Sequence, residues 1–216
     1  MQWGDGVTRE PWTMRSLLSP ERIAPYLAAV EGGWDEALLL YDWNASISAA
    51  FFESLHYLEV GLRNALDLAA TEHLGPTWLT GDHHLSHRSR RVVAVARDRA
   101  GGAAARHGKV LAELPFGFWW SLLADEYNRR LWAPALRHAF DGPVRRRTLH
   151  AELDEMRRLR NRIAHHEPIH ARDLAADHHR LVDVSGRVAQ ALGDHVATTS
   201  RVPMLLQAAP IARPTT

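Results

Sequence analysis

Between residues 46 and 73, apolar side chains recur at three- and four-residue steps: Ile47, Phe51, Leu55, Leu58, Leu62, Ala65 and Ala69. That spacing places them on one face of a long α-helix, as a core stripe of period 3.6. Gly75-Pro76 stops it. No stretch shows the alternation expected of a strand. Around this helix the sequence predicts several more. Ser19-Pro20-Glu21 reads as an N-cap with proline at the first helical position. A short helix to about residue 29 follows, closed by Gly32-Gly33. A third helix is expected over 86–105, with weak amphipathicity. Leu114-Pro115-Phe116-Gly117-Phe118-Trp119-Trp120 leads by a turn into an apolar helical stretch. A long helix over 144–165 is stopped by Pro168, which lacks an N–H and crowds the preceding residue. A last helix covers 171–192. The expected fold is all-α, with four to five main helices around one core. Residues 1–195 form one domain in this reading, and 196–216, rich in Pro and Ala, form a peripheral or flexible tail.

Composition narrows the function classes. The 216 residues suit one domain with a full core, and eight Trp with 46% hydrophobic residues exclude a disordered chain. No apolar run approaches the roughly 20 residues of a membrane span. Asp5, Glu10, Trp3 and Trp12 precede any apolar run, which does not fit a secretory leader, and a cytoplasmic location is expected. With no Cys, disulfides, thiolate zinc sites and Cys nucleophiles are impossible. Phosphate-loop, nucleophile-elbow and dinucleotide motifs are missing. Fourteen His are present, grouped as His83/His84/His87, His165/His166/His170 and His178/His179. Pro168 breaks the helical spacing of His166 and His170, so neither a metal nor any other cofactor is expected.

The net charge is only +1, yet Arg145, Arg146 and Arg147 form one basic cluster and Arg157, Arg158, Arg160 and Arg162 another, with His165 and His166 just beyond. Such a stripe can hold phosphate even in a neutral protein, with Arg157, Arg158 and Arg162 as RNA-binding residues. The alternative is a solvated helix face carrying local ion pairs. Within the second cluster, Asn161 and His165 are four apart and share a helix face. Arg160 lies on another side, but it is long and His165 sits in the last turn, where the backbone can loosen before Pro168. Guanidinium and imidazole can then converge on one phosphate. RNA needs no metal for cleavage, because its 2′-hydroxyl attacks the adjacent phosphorus. His moves a proton near neutral pH. Arg grips phosphate oxygens and stays charged. Asn161 can orient the His or bind a ribose hydroxyl. One chain offers one obvious proton-transfer group at this position, so a homodimer with a shared site is expected. Against this stands an ordinary cationic helix end.

The string Leu159-Arg160-Asn161-Arg162-Ile163-Ala164-His165-His166-Glu167-Pro168-Ile169 resembles the signature of HEPN-domain proteins. More narrowly it resembles the Abi-like family, linked to abortive infection of phage-infected bacteria. Three further strings are similar to that family: Leu40-Tyr41-Asp42-Trp43-Asn44 followed by Ser46-Ile47-Ser48; Leu58-Glu59-Val60-Gly61-Leu62-Arg63-Asn64; and Leu114-Pro115-Phe116-Gly117-Phe118-Trp119. They occur in the family's order and span roughly residues 18 to 185. The resemblance implies a HEPN-type bundle that dimerises through the motif region. It also implies a metal-independent endoribonuclease leaving 2′,3′-cyclic phosphate ends and acting as a toxin or phage-defence effector. RNA, a second copy, and an antitoxin or other defence-system protein are the implied partners. The family's Arg-x(4–6)-His motif maps onto Arg160 and His165, with Asn161 as its polar companion. His166 also satisfies the looser spacing. Some HEPN domains bind RNA or partners without cutting, which leaves a non-catalytic module as the alternative.

Glu59, Arg63 and Asn64 admit two readings. Glu59 and Arg63, four apart, form an intrahelical ion pair at the core edge, or they line the same cleft as Arg160. Asn64 supports the site or serves as a buried hydrogen-bonding residue. Trp119 and Trp120 are read as core packing more than base-stacking platforms.

Overall fold

The computed structural model describes residues 13–81 and 83–210. The N-terminal reading and residues 211–216 of the expected tail lie outside them. All regular structure among the described residues is helical, with no strand. In chain order the α-helices are α1 (Met14–Leu17), α2 (Pro20–Leu27), α3 (Trp34–Leu74), α4 (His87–Arg99), α5 (His107–Glu113), α6 (Phe116–Ser121), α7 (Arg146–Ala164), α8 (Leu174–Val188), α9 (Gln190–Thr199) and α10 (Val202–Gln207). Ser19 caps α2 by accepting from the Arg22 N–H at 3.3 Å, with Pro20 at the first position, as its sequence predicts.

The organising element is α3. Its 41 residues extend about 60 Å at 1.5 Å per residue. It starts twelve residues before the expected boundary, because Ala37, Leu40, Trp43 and Asn44 continue the buried stripe backwards from Ile47. Asp35 and Glu36 in its first turn complement the helix dipole. Phe51, Leu58, Leu62 and Leu66 are fully buried, each stabilising the fold by roughly 1.5–3 kcal/mol. Helices α2, α6, α7, α8, α9 and α10 all pack on it. By contrast, α4 packs mainly on α5. It is anchored by buried Val93 and Ala96 and by the Tyr127 hydroxyl, which bonds Ser86 Oγ at 2.8 Å and Ser89 Oγ at 2.7 Å.

Three expectations need correction. The apolar stretch after Phe118 is not one helix. It ends at Ser121 and continues as short 3₁₀ pieces (Asp125–Tyr127, Leu136–Ala139) around one π-helical turn (Asn128–Trp132). The last expected helix is two: Ala189 is extended (φ −158°, ψ 134°), so α9 folds back on α8. The corner works because Gly186 and Gly193 face each other. A Cβ on residue 193 would lie 2.7 Å from the Gly186 Cα. Third, residues to Gln207 are not a loose tail. Val196 and Val202 are fully buried, and the Trp43 indole N–H donates to the Leu205 carbonyl at 2.8 Å.

The glycine contact supplies a test. Gly193→Ala should lower stability by about 1–3 kcal/mol, read from the urea midpoint, because backbone must move on both helices. Gly108→Ala, where a Cβ meets nothing within 4 Å, should leave it unchanged or raise it by up to about 1 kcal/mol.

Candidate functional site

The predicted motif occupies the C-terminal end of α7. Leu153, Met156, Leu159 and Ile163 form its buried face, packed against α3. The helix stays regular to Ala164 and then closes in a Schellman turn. The His166 N–H donates to the Ile163 carbonyl (3.0 Å) and the Glu167 N–H to the Arg162 carbonyl (2.8 Å). This turn normally carries glycine at its left-handed position. Here that position is His166, with φ +55°, and no other non-glycine residue among the described ones has positive φ. The conformation costs on the order of 1–2 kcal/mol for an L-residue.

Two contacts hold the turn. Asn44, buried in α3, accepts from the Ile169 N–H at 2.9 Å and the His170 N–H at 3.0 Å through one Oδ1. The Arg22 guanidinium donates to the His166 carbonyl. Behind the turn, buried Asp177 accepts from Arg172 at 2.7 and 3.0 Å and from Arg180 at 3.0 Å. The hydrogen bond to Asp177 raises the pKa of Arg172 further above its ordinary range.

Arg160 is half-buried. Its Nε–H is enclosed without a hydrogen-bond acceptor, and the nearest carboxylate is Glu59 at 3.8 Å. Of the two readings for Glu59, the intrahelical pair does not form: Glu59 meets Arg160, while the Arg63 Nε–H donates to Asn64 Oδ1 at 3.4 Å. Asn64 is exposed and so is not a buried hydrogen-bonding residue. His165 and His166 are exposed, and Asn161 is half-buried. With α7 regular, Arg160 and His165 leave the helix about 140° apart. The backbone loosening expected before Pro168 comes only after His165. The two groups therefore diverge within one chain instead of converging by a bend.

The arginines read as RNA-binding are engaged with their own chain. Arg157 pairs with Asp154 at 2.7 Å and lies 4.6 Å over the Trp120 ring. Arg158 pairs with Asp154 (2.8 Å) and Glu155 (3.3 Å). Arg162 donates to the Pro168 carbonyl at 2.9 Å and faces Glu167 at 3.6 Å. Of the two readings of this stripe, local ion pairs describe its folded state. Trp119 is fully buried, and Trp120 stacks on His150 at 4.7 Å, so both tryptophans are packing residues.

Beside the turn opens a concavity of about 500 Å³, lined by Tyr41, Ser48 and Phe52 of α3 and by Ala164, His166 and Glu167. Its tyrosine and phenylalanine walls were not anticipated. The signal lay in the Tyr41-Asp42-Trp43-Asn44 string, in which Tyr41 lines the concavity and Asn44 braces the turn. Among the described residues no group of three or more His, Cys, Asp or Glu is placed to hold a metal ion. No helix among them is long and apolar enough to cross a membrane.

No family model, curated protein or solved structure matches this chain.

Two outcomes follow from the turn. His166→Gly should raise stability by about 1 kcal/mol in urea denaturation, since the Arg22 and Asn44 contacts are to backbone atoms and survive. The second concerns His170, whose ring lies 5.0 Å from Tyr26. Burial, then the nearby Arg162 charge, lowers its pKa below 6.5. Burial likewise lowers His178 and His150. A depressed His pKa means the unfolded chain binds more protons, so stability is complete above pH 6.5 and falls as the pH drops below it. The urea midpoint should therefore decline between pH 7 and 5, and His170→Gln should decline less steeply.

Proposed function

We propose that the end of α7 is a metal-independent RNA-cleaving site, completed by a second copy of the chain, in a HEPN-type protein of the Abi-like kind that acts as a toxin or phage-defence effector. The observation that carries this reading is the division of labour around one helix end. Arg160 faces the Glu59 carboxylate at 3.8 Å, while the exposed His165 and His166 side chains have no bonding partner among the described residues. A half-buried guanidinium with a donor still unsatisfied can meet a developing phosphorane charge. An imidazole open to solvent is free to take the 2′-hydroxyl proton or to return one to the departing 5′-oxygen. Because Arg160 and His165 diverge within one chain, a phosphate reaches a complete set most simply where two motifs face each other. The adjoining concavity is of a size that accepts a sugar or base.

In this scheme His165 is the proton-transfer group, and Asn161, on the same helix face, orients it or binds a ribose hydroxyl. His166 stands second to His165, because its conformation is committed to closing the helix. Glu59 positions Arg160, with Arg63 and Asn64 beside it on α3. Arg157, Arg158 and Arg162 would reach RNA only by exchanging their present partners. A cytoplasmic setting and control by an antitoxin or other defence-system protein belong to the same proposal.

Purified protein should cleave RNA in the presence of chelator and leave 2′,3′-cyclic phosphate ends. His165→Ala should reduce the rate on the order of 10²–10⁴-fold and Arg160→Ala on the order of 10²–10³-fold, with unchanged urea midpoints. Sedimentation should find the active species dimeric. Salt-dependent RNA binding without new ends, unaffected by His165→Ala, would replace cleavage with the non-catalytic module.

A further inference from the structure

Arg157, Arg158, Arg160 and Arg162 of α7 face carboxylates of their own chain, but three arginines of α4 do not. Arg88, Arg91 and Arg99 are exposed and take part in no ion pair among the described residues. With Val95 they fall at positions i, i+3, i+7 and i+11, which lie on one helix face over about 16 Å of axis. That face walls a groove of about 520 Å³. His87 closes one end, and Val92 and the half-exposed Val95 form an apolar floor between the cations. The opposite wall brings Pro115 and one carboxylate, Glu113, which pairs with none of the three. Asp98 is the one acid on α4 itself, Glu113 belonging to α5. The helix leaves this face uncovered because its buried side, Val93 and Ala96, is satisfied by α5 and the Tyr127 loop.

Three exposed guanidiniums held apart on a rigid helix, with aliphatic side chains between them, match a flexible polyanion with apolar faces. Guanidinium planes also accept stacked bases. We propose that the α4 groove binds the phosphodiester backbone of single-stranded RNA, as a contact separate from the α7 site. The proposal rests on the reading of this protein as an RNA-cleaving enzyme. It assigns substrate retention to α4 and chemistry to α7. Arg88, Arg91 and Arg99 hold the strand, and the α7 residues then act on whichever phosphate is presented.

The test uses the full chain and a 20-nucleotide 2′-O-methyl RNA, which binds but cannot be cleaved. Arg88→Gln/Arg91→Gln/Arg99→Gln is compared with Arg129→Gln/Arg130→Gln/Arg137→Gln, which removes the same charge from another exposed segment. Binding is titrated at several salt concentrations. Each phosphate contact on a single strand contributes about 0.7 to the slope of log affinity against log salt. The α4 variant should therefore lose about 2 from that slope and bind roughly 10- to 100-fold more weakly near 0.1 M salt. The control triple should match the parent protein. Cleavage of a dinucleotide, too short to span both sites, should be unchanged by the α4 variant. A slope and affinity unchanged by the α4 variant, with dinucleotide cleavage intact, overturn the groove and leave the catalytic reading standing. Equal losses in the two triples overturn it as well, since a general field would then suffice. A parent protein that neither binds the oligonucleotide nor cleaves RNA overturns both readings.

Discussion

Burial of one face of α3 underlies everything else in the structure. A stripe from Ala37 to Ala70 runs along a single helix and needs covering over most of its length. Six other α-helices supply the cover. Because α3 is continuous, it is also a ruler: Asn44, Phe52 and Glu59 sit at fixed heights along it. Asn44 meets the turn after α7, Phe52 lines the concavity beside that turn, and Glu59 meets Arg160. The geometry of the candidate site is therefore set by the registry of α7 against α3, which the packing of Leu153, Met156, Leu159 and Ile163 maintains.

Strain is concentrated where α7 ends. A left-handed histidine persists only if its surroundings over-determine it. Here the Schellman hydrogen bonds, the Arg22 contact to the His166 carbonyl, and Asn44 on the following N–H groups supply that determination. Beyond them, the Asp177 cluster anchors the segment to α8. The consequence is a rigid helix end that presents two imidazoles to solvent next to a half-buried guanidinium. Electrostatics follow the same logic of partners. The richest basic run in the sequence is the least available in the fold, because Asp154, Glu155 and Glu167 lie on or just beyond the same helix. The helix α4 carries one acid, Asp98, and its Arg88, Arg91 and Arg99 form no ion pair among the described residues.

Much of the fold was legible in residue order. The 3.6-residue recurrence of Ile47, Phe51, Leu55, Leu58 and Leu62 is a local property, so the middle of α3 could be read directly, as could the Ser19-Pro20 cap and the end of α7 near Pro168. Its start could not, because Leu38 to Tyr41 is apolar on several sides and only packing selects Ala37 and Leu40 as inward. The break at Ala189 carries no proline. It depends on Gly186 and Gly193 meeting, seven residues apart, which becomes visible only once α9 turns back. The Trp43–Leu205 bond joins residues more than 150 apart and leaves no local trace.

The sequence alone determined an all-helical chain, with no thiol chemistry, that concentrates arginine and histidine at one helix end, because helical periodicity and side-chain identity are written in neighbouring residues. The tertiary structure decided which charges are free. Whether Glu59 pairs with Arg63 or with Arg160, and whether α7 or α4 offers open guanidiniums, depends on distances between helices. Those distances follow from how each stripe is covered, and covering is a property of the whole core rather than of any one segment.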